Sequence, residues 1–199
     1  MRLPSSAHTD HPWRIHEIAD DFELEDVWIL PTHGGPDDLA HLVKQFTEGE
    51  KAHGSSLASR ALFALRWKLG ALFGWDRPQD GIGGRVATLR DRLPADLKDA
   101  HPGPDMRALP FKTVYRTHDE WVAETANKTM HGVMHISWVP DEKGGYRGQM
   151  AVLVKPNGRL GRLYMLGIKP FRYLGVYPAL LNAIGRKWQE TAPSRAAAA

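Results

Sequence analysis

The sequence contains no cysteine. Disulfides, thiolate zinc sites and cysteine nucleophiles are therefore excluded, and the composition suits a reducing compartment. No stretch approaches the roughly 18 uncharged apolar residues of a membrane span. Residues 1–20 mix polar and charged side chains, without the apolar core of a secretory signal. The expected location is cytoplasmic. No serine sits in a Gly-x-Ser-x-Gly elbow. Gly81-Ile82-Gly83-Gly84 lacks the strand-before, helix-after setting of a nucleotide fingerprint. Gly34-Gly35 precedes a helix, but Asp37 and Asp38 would repel an anion there.

What is present fits one domain of 199 residues, long enough to bury a core without staples. The expected organisation is a disordered lead over 1–12, a single domain over 13–190 and a frayed tail over 191–199. The net charge of +3 is unevenly spread. Residues 155–199 carry eight Lys/Arg against Glu190 alone, a local +7, so the other 154 residues sum to −4. A chain acidic early and basic late can pair its own ends or present a basic face to an anionic partner.

Asp21 to Leu30 alternates as a half-buried strand. Pro36, Asp37 and Asp38 suit a first helical turn. Leu39, Leu42, Val43 and Phe46 then form one apolar stripe. A second helix is expected over Leu57–Phe73, capped by Ser55 or Ser56 and ended at Gly74, with Leu62, Leu65, Leu69 and Leu72 in its seam. Residues 76–110 read as loop, with a short helix around Arg85–Arg92. Strands follow over Phe111–Thr117, Trp121–Ala126, Thr129–Val139 and Tyr146–Val154, joined by short turns and so antiparallel. The last element runs from Leu160 to about Gln189. Its apolar side comprises Leu160, Leu163, Tyr164, Ile168, Phe171 and Leu174, with Arg159, Arg162, Lys169 and Arg172 opposite. Pro170 is expected to kink or split it, and Pro178 to restart it. The expected fold class is α+β: a curved antiparallel sheet packed on a long C-terminal helix, with two shorter helices after the first strand. This is helix-grip logic, and it can leave an apolar cavity between sheet and helix.

Several segments agree in order with one family. They are His11-Pro12-Trp13, Thr88-Leu89-Arg90-Asp91-Arg92-Leu93-Pro94, Asn127 to His135, Tyr146 to Gly158, Lys169-Pro170-Phe171-Arg172 and Val176-Tyr177-Pro178-Ala179-Leu180. Over roughly residues 11–190 the chain resembles the bacterial family called domain of unknown function 2867. That resemblance implies kinship with the START-like, Bet v 1-like (SRPBCC) helix-grip superfamily. Relatives there bind lipids, sterols or polyketides, and some are cyclases or hydroxylase partners. Some family members carry a fused nucleotide-binding reductase-like domain; none is expected in these 199 residues. The resemblance supplies no catalytic residues.

The candidate ligand-binding residues are Tyr115, Glu124, His131, His135 and Gln149. His131 and His135 share a strand face about 13 Å apart at ~3.3 Å per residue, too far for two bonds of ~2 Å to one metal; no metal and no cofactor are expected. Glu124, if inward, would have its pKa raised by burial and could serve as an acid or base. Tyr115 could place a hydroxyl in a cavity, and Arg147 with Gln149 could orient a polar ligand head. Nucleic-acid binding is not expected, given the acidic first half and no known binding module. The basic face at 159–172 could lie on an anionic membrane, but the sheet needs that helix as cover. The leading expectation is a small hydrophobic or amphipathic molecule held between sheet and C-terminal helix. The rivals are a cyclase- or isomerase-type enzyme using cavity acid–base groups, and a regulatory or interaction domain with a filled core.

Overall fold

The computed structural model describes residues 1–48, 81–99, 102–107, 109–142, 144–171, 173 and 177–192. The helix expected over Leu57–Phe73 and most of the expected tail lie outside these residues. Among the described residues the chain is α+β with one six-stranded sheet. The strands are β1 (Arg2–Leu3), β2 (Glu23–Gly34), β3 (Lys112–Arg116), β4 (Glu120–Ala126), β5 (Met130–Pro140) and β6 (Tyr146–Pro156). Their spatial order is β1-β2-β6-β5-β4-β3, and every neighbouring pair is antiparallel. The last four form a meander, and β2 closes it by lying beside β6.

The helices are α1 (Ser6–Thr9), α2 (Ile15–Ile18), α3 (Leu39–Glu48), α4 (Ala95–Lys98), α5 (Gly158–Phe171) and α6 (Tyr177–Thr191), with a 3-10 turn at Leu89–Arg92. The Leu39, Leu42, Val43 and Phe46 stripe of α3 is buried as its spacing predicts. The expected long terminal helix is described in two ranges: α5 ends one residue past Pro170, Pro178 sits in the first turn of α6, and residues 172 and 174–176 between them lie outside the described residues.

Both faces of the sheet are covered, where the sequence suggested one. On the first face, Ile15, Ile18, Leu89, Leu93 and Leu97 pack against Val122, Val133, Ala151 and Leu153. On the second, α3 and α6 bring Leu42, Phe46, Ile184 and Trp188 onto Trp121, Ile136, Trp138 and Met150. Gly185 lets α6 lie tight on β2, since a Cβ there would stand 2.8 Å from Pro31 Cγ. Trp188 Nε1 donates to the His33 carbonyl at 3.0 Å and fixes the same contact.

Three expectations are corrected. The lead over residues 1–12 is ordered: β1 pairs with Val27 and Trp28 of β2, and the Gln149 amide donates to the Ala7 carbonyl at 3.0 Å. Leu163 is 69% exposed, not on a buried stripe. The reason is Gly161, whose bare Cα lets α5 press against the turn before β5; the helix then buries Met165 and turns Leu163 and Leu166 outward. In the loop-like region the short helix expected around Arg85–Arg92 is a 3-10 turn at Leu89–Arg92, and α4 at Ala95–Lys98 follows where loop was expected. Thr88 caps that turn by accepting from the Arg90 amide at 3.2 Å.

Candidate functional site

Two features stand out, one on each side of the sheet. The first is a closed cluster of titratable side chains. Strand alternation puts Glu120, Val122 and Glu124 of β4 on the first face, beside His131, Val133 and His135 of β5. Each carboxylate meets the histidine diagonally across the ladder. Glu124 Oε2 lies 2.8 Å from His131 Nε2, and Glu120 Oε2 lies 3.2 Å from His135 Nε2. The second pair sits off the line of a good hydrogen bond, so His135 Nε2 has no well-aligned partner.

Around Glu120 the network continues in two directions. Tyr115 Oη donates to it at 2.8 Å and the Arg14 amide at 3.0 Å. Beyond His135, its Nδ1 meets His8 Nε2 at 3.0 Å, and His8 Nδ1 meets His16 Nε2 at 3.3 Å. The rings of Trp13 and His135 meet edge-on at 5.5 Å. His8, His135, Glu120 and Tyr115 are all buried, whereas His16 reaches the half-exposed boundary. A line of polar contacts thus runs from the surface at His16 to the core at Tyr115.

The electrostatics follow from closure. Burial, then the neighbouring His135 and His16, push the His8 imidazole down to about 3, with Glu120 opposing and His11 adding to the fall. His16 is lowered for the same leading reason. Burial, Glu120's charge and its hydrogen bond push the Tyr115 phenol far up. Burial pushes both glutamates upward, but their partners outweigh it. His135, the Arg14 amide and Tyr115 hold Glu120 below its ordinary value. His131, Thr88 and the Leu89 amide do so for Glu124. Glu124 is thus inward, yet lowered rather than raised as burial alone suggested. It also accepts from the Thr88 hydroxyl and the Leu89 amide, tying the 3-10 turn to the sheet.

All five expected site residues, Tyr115, Glu124, His131, His135 and Gln149, lie buried on this one face. They are drawn into a network or a tether, not into an open cavity. Sequence reading missed Glu120, His8, His16 and Trp13. Glu120 was within reach: Glu120/Glu124 and His131/His135 repeat the same four-residue spacing on adjoining strands of one hairpin. His8 carried no comparable signal. Among the described residues no group of three or more His, Asp or Glu side chains is arranged to hold a metal ion.

The second feature is a groove of about 630 Å³ between β2, the start of α6 and residues 1–3. Its apolar walls include Leu3, Trp28, Leu30, Pro31 and Leu181, and His33, Asp141 and Arg147 stand at its polar end. His33 Nδ1 pairs with Asp141 Oδ2 at 2.6 Å. Two donors on lining residues, Trp28 Nε1 and Arg147 Nη1, are shielded from solvent without a hydrogen-bond partner among the described residues. Of the expected polar residues only Arg147 reaches this groove. Trp28 is held from behind by Tyr177, ring to ring at 4.7 Å. The Tyr177 and Tyr173 hydroxyls in turn donate to the buried Asp26 carboxylate.

No helix among the described residues is long and apolar enough to cross a membrane. The Thr88–Pro94 run that carries part of the family resemblance serves the first face. Leu89 and Leu93 enter the core, Arg90 donates to the Val114 carbonyl at 2.9 Å, and Arg92 pairs with Asp21 at 2.6 Å. No curated protein and no solved structure matches the chain. A family model does match, over residues 18–179, and the chain therefore belongs to the family described as protein of unknown function DUF2867.

Proposed function

We propose that this chain binds a small amphipathic molecule, its apolar body lying in the groove between β2 and the first turns of α6. The observation that carries this reading is the groove itself. Its volume of about 630 Å³ falls within the ~300–1,000 Å³ of small-molecule sites. Its walls are mainly apolar, and apolar surface supplies affinity at ~25 cal/mol per Å² removed from water. The cationic Arg147 at the groove's polar end favours a ligand whose head bears an acceptor oxygen. The reading includes a helix-grip, START-like kinship and a cytoplasmic location, supported by the antiparallel sheet with its C-terminal helix and by the absence of cysteine.

An acid–base enzyme is the weaker reading. The titratable groups that converge, Glu120, His135 and Tyr115, lie on the opposite side of the sheet, and none of them lines the groove. A catalytic pair needs a reacting atom within reach.

Native mass spectrometry of the chain purified from its host, followed by titration with 8-anilinonaphthalene-1-sulfonate, tests the proposal. A co-purifying adduct, or saturable one-to-one probe binding weakened at least tenfold by Leu181→Arg, is the expected result. Absence of both, or binding indifferent to Leu181→Arg in a folded variant, overturns it.

A further inference from the structure

The two features are joined by residues 1–12. Met1 and Leu3 form one wall of the groove, and five residues further on His8 sits inside the closed cluster. Among the described residues the segment is held by the β1 pairing, the Ile29 amide to the Met1 carbonyl at 2.9 Å, the Gln149 amide to the Ala7 carbonyl, Arg2 between Asp26 at 3.6 Å and the Tyr173 ring at 4.9 Å, Leu3 and Ala7 against the core, and the His8 ring between His135 and His16. Its own elements are a two-residue strand and a four-residue helix, and such short elements open ahead of the central strands of a sheet.

We propose that residues 1–12 are a proton-released strap: protonation at His8 and His16 frees the segment from the sheet and removes the Met1 and Leu3 wall of the groove. The proposal rests on that groove being the binding site. The geometry gives the reason. A neutral imidazole donates once and accepts once, so His8 can serve both of its ring neighbours at once. A protonated His8 has two donors, and its partners must then both accept. His8 is 1% exposed, so water cannot solvate the added charge.

The groups facing it are mostly of the wrong kind. His11 lies just beyond α1, His16 is on α2 and His135 on β5. Among the described residues Glu120 on β4 is the one carboxylate close enough to act, and it is already engaged by Tyr115, the Arg14 amide and His135. A segment lifted into water carries histidines of ordinary affinity for protons. For His8 alone, a change from about 3 in place to 6.5 when free weakens docking about 25-fold between pH 7 and pH 5.

Hydrogen exchange of the full chain, corrected for intrinsic rate, reads the strap directly. At pH 5 against pH 7 the amides of residues 2–9 are expected to lose at least tenfold protection while those of β5 hold. Binding of 8-anilinonaphthalene-1-sulfonate, whose sulfonate keeps its charge throughout, is expected to weaken in parallel. His8→Phe should flatten both profiles, and the wild-type profile decides the matter if that variant does not fold. Equal protection of strap and β5 across this range overturns the proposal. So does a strap that opens while probe affinity stays constant. A chain that binds no probe at any pH removes the groove reading, and the strap is then judged on its exchange alone.

Discussion

His8 and His135, 127 positions apart in the chain, meet nitrogen to nitrogen at 3.0 Å with both rings closed to solvent. This contact makes the first face of the sheet a mixed layer, in which apolar packing surrounds a polar line. Buried polar groups of this kind are costly to disturb, because each lost partner leaves a donor or acceptor without water.

Glu120 is the hub of that line. Glu120→Gln keeps the shape but replaces a charged acceptor by a neutral amide. The expected loss is about 1.5–3 kcal/mol, read as a lower urea midpoint with unchanged slope. Tyr115→Phe removes one of the hub's donors. The double variant should depart from additivity by at least ~0.5 kcal/mol; strict additivity would show that the phenol and the carboxylate do not share the interaction.

Stability should depend on pH in a stated direction. His8 has its folded value depressed to about 3 from 6.5, so between these values the unfolded chain takes up a proton that the folded chain refuses. The stabilisation is fully present above about pH 6.5 and is lost as pH falls, at ~1.4 kcal/mol per pH unit for one group. His16 adds to this decline in the same direction. Glu120 and Glu124, lowered in the fold, contribute stability above their ordinary 4.5 and lose it below. Urea midpoints are expected to be level above pH 7, to fall from about pH 6.5 and to fall more steeply below pH 4.5. A level midpoint from pH 7 to pH 5 would contradict the burial of neutral His8.

Two glycines of α5 should respond oppositely to the same substitution. A Cβ on Gly161 would stand 2.1 Å from the Thr129 carbonyl oxygen, which is backbone and cannot step aside. Gly161→Ala is expected to cost about 1–3 kcal/mol. Around Gly167 there is nothing within 4 Å, so Gly167→Ala should stabilise by about 0.5–1 kcal/mol through helix propensity. Thermal melts followed by circular dichroism distinguish the two; a pair moving together would mean that α5 does not seat on Gly161.

The strands β3 to β6 were legible because alternation and turn residues agree. Asn127 is a clear instance: its side chain accepts from the Thr129 and Met130 amides and closes the turn that the sequence suggests. β2 runs four residues past Leu30, through Pro31 and His33 to Gly34. Those residue types read as a break, yet an outer strand tolerates a proline that has no amide to offer. The candidate histidines and Glu124 were picked out correctly as inward groups. The partners that decide their chemistry came from segments without periodicity. A two-residue strand and a four-residue helix leave no repeat to detect, and His8 is buried only because distant strands receive it.

The two-residue β1 has one more effect. β2 spans twelve residues, and among the described residues its Val27–Ile29 stretch is engaged by Met1, Arg2 and Leu3. Those three residues act as a bookend. With the bookend off, the Val27–Ile29 stretch would offer its amides and carbonyls outward, the kind of edge on which another copy's strand can pair. Removal of residues 1–3 is therefore expected to promote self-association.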